Sequence, residues 1–315
     1  MDLDQIKAHE AFPGRWYYSI ELAPGLWTDG AGHKNVALTR QLLSNVDVEA
    51  GAPDGSPARC LDVGMQEGLV TMLLERRGGS PVVGYDRVSR EQRFDLLRSA
   101  LDARFQFIGG MPLSALPRAL EAHGHRFFDV VVFSGVLYHM LDPVAGLATV
   151  RGLVRNGGIL IVESRLAFSD EPALYLNSEE RFGEMAIWLI SVPCLDYLLR
   201  LLRLEVLDVA YLAPRKRSDS VTSTGRVAVA CRAVAEPPAE PGDEWITWRG
   251  WRRELTEFIN WNELTDSKRP VDYRSSRPDL VRGPGGSVDL RATVESMSPN
   301  VAEPDQIRLA MDAQH

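Results

Sequence analysis

Two aspartates and two glycines, Asp62, Gly64, Gly68 and Asp86, carry the most chemically informative spacing in the chain. Asp62 and Gly64 close an apolar run, RCLDVG, and the loop continues Met65-Gln66-Glu67-Gly68 before a second apolar segment. A glycine at a strand end permits a tight turn, and another at a helix start lets backbone approach a ligand. A dinucleotide loop would read G-x-G-x-x-G and cradle a pyrophosphate. Here the middle glycine is missing and Glu67 sits in the loop, a poor host for phosphate. A carboxylate there suits a cationic ligand such as a sulfonium with an α-amino group. Asp86 ends the next apolar run, PVVGYD, 22 residues after Gly64. A carboxylate at that place accepts ribose hydroxyls. The set predicts an adenosyl ligand without a pyrophosphate, and Gln66 and Arg87 are expected to join the contacts.

Later residues extend the site. Gly110 and Met111, after the run RFQFI, are expected beside the adenine. Ser134 and Gly135 end the run FFDVVVFSG and should border the ligand crevice, as strand-end residues do in open α/β sheets. His139 follows closely and is the candidate general base; its other reading is packing within the LYH turn. Tyr138 either touches ligand or packs the core. Trp16, Tyr17, Tyr18 and Trp27 would form an aromatic lid or seat the N-terminal segment, and His33 is a further base candidate. The residues Trp245, Trp248, Trp251 and Trp261 suggest a docking face or an acceptor wall. No cluster has metal-ligand spacing.

The elements that must position these residues alternate. RCLDVG, PVVGYD, RFQFIGG, FFDVVVFSG and GILIVES read as buried strands. GLVTMLLERRG, SREQRFDLLRSAL, PLSALPRALEAHG and PVAGLATVRGLV read as helices between them. Ser89 is the expected N-cap of the second helix, and Asn156-Gly157-Gly158 the stop of the last. Alternation of this kind predicts an α/β fold with a Rossmann-like, mostly parallel sheet and helices on both faces. RLEVLDVAYL and RVAVACRAV should complete it as an antiparallel pair, so the last strand runs against the others. We divide the chain into a lid segment at 1–55, a nucleotide-binding domain at 56–235 and a Trp-rich extension at 236–315.

The bulk properties narrow the partners. The 315 residues carry a formal charge of −8, with 45% hydrophobic residues. Acidity argues against a broad nucleic-acid footprint, and the one compact basic run, Arg215-Lys216-Arg217, reads as a solvated loop. The cysteines Cys60, Cys194 and Cys231 have neither zinc nor redox spacing, which fits a reducing compartment. The start, MDLDQIKAHE, lacks the features of a signal peptide, and the run AIWLISVPCLDYLLRLL is too interrupted to span a bilayer. A cytoplasmic protein acting on a small molecule is expected, compatible with a homo-oligomer.

The segments LDVGMQEG, VVGYD and FFDVVVFSGVLYHMLDPVAGLATVRGLVRNGGILIVES resemble the class I methyltransferases. Within that class, GVLYH followed by Asp-Pro is similar to the branch that holds the tRNA wobble-uridine carboxymethyltransferase and related bacterial small-molecule enzymes. WYYSIELAPGLWTDG looks like the F/W-H-S/T-I-D-L-G lead-in of that branch. The resemblance implies S-adenosylmethionine as cofactor, with Asp62, Gly64 and Gly68 on its methionine and ribose side and Asp86 on the ribose hydroxyls. The class motif D-x-G-x-G-x-G has Gln66 in place of its second glycine here. The tRNA enzyme uses a carboxylated cofactor held partly by a lysine in a W-R-K-G-P-F-like segment, and PGRWYYSI has no such lysine. The ordinary cofactor and methylation of a hydroxyl or amine of a small molecule, such as a specialised metabolite, are therefore expected. A tRNA-modifying enzyme and a non-catalytic cofactor-binding scaffold are the alternatives.

Overall fold

The computed structural model describes residues 1–31, 34–167, 169–177, 186–215 and 224–235. Toward the C-terminus it describes 258–259, 261, 264, 269–275, 277–283 and 286–296. A short helix, α1 (Leu3–Ala8), starts from a capping box in which Asp2 and Gln5 bond each other's backbone. Four short strands follow: β1 (Arg15–Tyr18), β2 (Glu21–Ala23), β3 (Leu26–Trp27) and β4 (Asp29–Ala31). β1 pairs in parallel with β4, and β2 with β3 as a hairpin. α2 (Lys34–Leu43) leads to the main sheet.

That sheet grows by strand–helix alternation: β5 (Cys60–Val63), α3 (Leu69–Arg76), β6 (Val82–Asp86), α4 (Glu91–Leu101), β7 (Gln106–Gly109), α5 (Leu116–Ala122), β8 (Phe128–Ser134), α6 (Pro143–Gly152) and β9 (Val154–Ala167). β5 and β8 are buried at every residue, as strands covered on both faces must be. The order is β7-β6-β5-β8-β9, all parallel. Two short strands, β10 (Leu174–Leu176) and β11 (Trp188–Ser191), extend the far end of β9, and α7 (Val192–Leu201) starts from Ser191 as N-cap. β12 (Leu204–Arg215) and β13 (Thr224–Ala233) close the sheet. β13 lies antiparallel between β9 and β12. This is the expected Rossmann-like sheet with an antiparallel last strand.

Two local expectations change. α4 begins after Arg90 with no side-chain cap, so Ser89 does not cap it. α6 stops at Gly152, and Asn156, Gly157 and Gly158 lie inside β9. Arg151 explains the early stop. Its buried guanidinium donates to the Leu202 and Val154 carbonyls at 3.0 Å each, which locks the helix end between the end of α7 and the start of β9.

The N-terminal residues Ile6, Trp16, Ile20 and Val36 share one apolar core with Met65 of the loop after β5, Phe94 of α4, and Val130 and Ile161 of the main sheet. The C-terminal region runs back along the same body. Val271 N–H donates to Gly157 at 2.9 Å, Arg274 N–H to Asn45 at 2.9 Å, and Val288 N–H to Val206 at 3.0 Å. A final helix, α8 (Leu290–Ser296), lies against α7 and β12. Trp261 is seated under Arg203, whose guanidinium is 4.2 Å from its ring centroid. Trp245, Trp248 and Trp251 lie outside the described residues, as does the run's Lys216-Arg217. Among the described residues no helix is long and apolar enough to cross a membrane.

Arg155 ties three of these regions together. It is ion-paired with Asp129 and donates to the carbonyls of Gly51 and Arg269 at 3.0 Å each. Removing one member of a buried pair strands the other charge. Arg155→Ala is expected to lower stability by about 3–5 kcal/mol in denaturant unfolding. A loss below about 1 kcal/mol, the level of an exposed pair, would show that this junction is solvated.

Candidate functional site

A cavity of about 510 Å³ opens at the C-terminal ends of β5, β6 and β8. Its size lies within the range of small-ligand sites. Gly64 and Gly135 form the strand-end turns at its floor, with φ of 86° and 74°. Neither position has room for more. A Cβ on Gly64 would meet Val136 at 2.2 Å, and one on Gly135 would meet the Asn35 amide nitrogen at 2.9 Å. Positive φ and close approach together demand glycine.

At one end of the cavity, Asp86 holds the loop. Its Oδ2 accepts from Gln66 N–H at 2.9 Å and its Oδ1 from Val88 N–H at 2.9 Å. Gln66 has φ of 53°, the left-handed conformation that the class motif fills with glycine. The carboxylate keeps lone pairs for a diol, since each oxygen accepts more than one hydrogen bond. Next to it, the Tyr85 hydroxyl donates to the Met111 carbonyl at 2.8 Å, which turns the chain so that Pro112, Leu113 and Ser114 form the wall.

The other end is aromatic and polar. Tyr17 and Tyr18 of β1 meet edge to face, 4.8 Å between centroids, and line the cavity with Asn35. Burial, then the neighbouring Tyr17 and Asp62, push the Tyr18 hydroxyl well above its ordinary pKa. Thr39 donates to the Ser134 hydroxyl at 2.8 Å beneath them. His139 lies on the cavity wall, its ring 4.1 Å from that of Tyr138. Tyr138 itself is buried behind the wall. Its hydroxyl accepts from Arg226 at 3.2 Å, and Arg165 lies 5.2 Å over its ring. Glu163 pairs with Arg226 through both oxygens, at 2.6 and 3.0 Å. Burial opposes the Arg226 charge, but Glu163 and Tyr138 together raise its pKa above the ordinary value.

The expected site residues separate into two groups. Gly64, Gln66, Asp86, Arg87, Ser134, Gly135, Tyr17, Tyr18 and His139 line one cavity. Asp62, Gly68, Gly110, Met111, Trp16, Trp27 and Tyr138 are not part of its wall. Asp62 accepts from Thr71 at 2.7 Å beneath the loop. Gly68 is the left-handed cap of α3, facing Met65, Leu97 and Phe105. Gly110 and Met111 lie outside that wall, with the Met111 carbonyl accepting from Tyr85. Trp16 is buried beneath Arg93, 4.8 Å from its guanidinium, and Trp27 sits half-buried in the β2–β3 hairpin, so the lid reading narrows to the two tyrosines. His33 lies outside the described residues. The Glu67 argument also changes: its carboxylate is buried away from the cavity and accepts from Tyr17 and Tyr18 N–H.

Sequence reasoning missed Asn35, Tyr85 and Phe258. Asn35 opens α2 far from any glycine loop, and Phe258 belongs to the C-terminal region yet lines the cavity beside Thr149. Tyr85 carried a signal, since it directly precedes Asp86 at a strand end. Among the described residues no group of three or more His, Cys, Asp or Glu has metal-binding geometry.

Residues 35–216 match the family model described as a methyltransferase domain. The tRNA U34 carboxymethyltransferase of Dichelobacter nodosus is 32% identical over 129 residues, covering 39% of this chain and 41% of that protein. The enzyme of the same name from Methylococcus capsulatus is 31% identical over 139 residues, covering 43% and 40%. The chain thus spans about two fifths of the length of these relatives. Among solved structures, the 1,6-didemethyltoxoflavin-N1-methyltransferase of Burkholderia thailandensis, with 1,6-didemethyltoxoflavin and S-adenosylhomocysteine, is similar at a TM-score of 0.42 and 23% identity, covering 65% of this chain and 91% of that one.

Proposed function

The chain belongs to the methyltransferase-domain family, and from that premise we propose that it methylates a hydroxyl or amine of a small molecule held against Tyr17, Tyr18 and His139. Its cofactor is S-adenosylmethionine. The cavity suits that group: a carboxylate, Asp86, stands where a ribose diol would be held, and the tight glycine turns at Gly64 and Gly135 form the cavity floor. When bound, the cofactor supplies a methyl group on positive sulfur with a neutral leaving group.

The protein's work is then mainly positioning. Asp86 and the Gln66 turn orient the adenosyl end. Tyr17, Tyr18 and Asn35 shape the opposite end, where the acceptor would enter, and their aromatic surface excludes water. His139 takes the proton of a hydroxyl acceptor, and an amine acceptor asks less of it. The observation that carries the small-molecule reading is that His139 and the two tyrosines share one cavity of about 510 Å³.

A second reading has its own support. The relatives above are named for tRNA, and Arg165 and Arg226 flank Tyr138 beside the cavity. A carboxylate-bearing group would have to compete with Glu163, which already pairs with Arg226. The test is to incubate the protein with methyl-labelled S-adenosylmethionine and, separately, small-molecule extract and total tRNA. Label is expected in the small-molecule fraction and not in RNA. RNA labelling would favour the second reading, and tight binding of NAD with no binding of S-adenosylhomocysteine would overturn the cofactor assignment.

A further inference from the structure

Glu67 lies on the cofactor loop, yet its carboxylate is 1% exposed and turned from the cavity. Oε2 accepts from Tyr17 N–H at 2.8 Å and from Tyr18 N–H at 3.0 Å. Oε1 pairs with Arg93 of α4. Arg93 in turn donates to the Arg15 carbonyl at 3.0 Å and covers the Trp16 ring. Every residue of β1 is therefore held by this one pair, through backbone or ring. The β1–β4 ladder is irregular between Arg15 and Tyr18, so neighbouring strands do not replace these bonds.

A buried carboxylate is costly unless paired and hydrogen-bonded. Glu67 meets both conditions, and both serve to hold β1. In sequence it stands between Gln66, whose N–H is held by Asp86, and Gly68, which caps α3. A continuous polar path thus runs from Asp86 through the loop to the backbone beneath the Tyr17 and Tyr18 rings. The adenosyl end of the cavity and its aromatic wall are mechanically joined.

We propose that Glu67 is a positioning residue that locks the Tyr17–Tyr18 wall to the cofactor loop, so that the loop sets the wall facing the methionine end of the cofactor and the acceptor. The inference rests on the methyltransferase reading of this cavity. Asp86 and Tyr17–Tyr18 mark opposite ends of it, which gives a probe for each. S-adenosylhomocysteine fills both ends, and adenosine only the first.

The experiment is calorimetric titration of both ligands into the wild-type chain, Glu67→Ala and Glu67→Gln, with hydrogen exchange on the wild type. Glu67→Ala is expected to weaken S-adenosylhomocysteine by at least about tenfold and to leave adenosine within about twofold. Glu67→Gln keeps an oxygen that accepts both N–H groups, and S-adenosylhomocysteine should stay within about threefold. In the wild type, S-adenosylhomocysteine should slow exchange of the Tyr17 and Tyr18 amides along with those of residues 64–68, a result that does not require any variant to fold. Equal effects on the two ligands in Glu67→Ala, a loss in Glu67→Gln as large as in Glu67→Ala, or Tyr17 and Tyr18 amides indifferent to S-adenosylhomocysteine would each overturn the lock. Failure of the wild type to bind either ligand would instead overturn the underlying reading.

Discussion

Asp86→Ala should weaken S-adenosylmethionine binding by at least about a hundredfold, the equivalent of about 2.7 kcal/mol or more. Two losses add. The ribose diol loses a charged acceptor, and hydrogen bonds to charged groups contribute about 1.5–3 kcal/mol. The Gln66 N–H also loses its partner, and Gln66 holds a left-handed conformation that costs about 1–2 kcal/mol without support. Asp86→Asn keeps one accepting oxygen and should lose only about tenfold. Adenosine must suffer as much as S-adenosylmethionine, because the affected contacts lie at the adenosyl end. Calorimetry on the three proteins decides it. A dissociation constant for Asp86→Ala within about threefold of wild type would remove Asp86 from the ribose site.

Asp62 should make stability depend on pH near neutrality. Burial pushes its carboxyl up to about 7, Asp86 adds to the rise, and the hydrogen bond from Thr71 works against it. The unfolded chain ionises near its ordinary value of about 3.9. Between those two values the native state holds a proton that the unfolded state has released. The apoprotein therefore loses stability as pH rises through the window, by an amount of order 4 kcal/mol. Asp62→Asn stays neutral, so it should be flat across the same window and the more stable protein at about pH 8. Parallel stability curves for the wild type and Asp62→Asn from about pH 4 to 8 would mean that Asp62 is ionised throughout.

Much of the fold was legible because its signals are local. Strands β5 and β8 are apolar at almost every position, which only a doubly covered sheet explains, and the glycines of the loop stand where backbone must turn sharply. Asp86 was legible for the same reason, at a strand end a fixed distance from that loop. What escaped depends on contacts between distant parts of the chain. The direction of the Glu67 side chain is decided by β1, some 50 residues earlier, as the Tyr17 N–H bond records. Loop position alone suggested a ligand contact; the two backbone donors and Arg93 offered it a better-satisfied place. Likewise Asn156-Gly157-Gly158 has the composition of a helix stop, but the end of α6 is set earlier by Arg151 reaching the Leu202 carbonyl. Trp16 and Tyr18 belong to one short strand and are both buried, yet only Tyr18 reaches the cavity, because Arg93 covers Trp16.

The place of β13 bears on the order in which the molecule can be completed during synthesis. Domains emerge from the ribosome N-terminus first, at about 5–20 residues per second. β5 to β9 can form as soon as they are made. β13 comes last among the sheet's strands, but it lies inside, between β9 and β12. Until it arrives, β9 presents an open row of backbone donors and acceptors, the feature that invites pairing with other chains. The same arrival brings Arg226 to Glu163 and Tyr138. A nascent chain that stalls before Thr224 would hold the adenosyl half of its cavity, a Glu163 still without Arg226, and a sticky edge at once. Sealing that edge and neutralising that charge are one event, performed by a single strand.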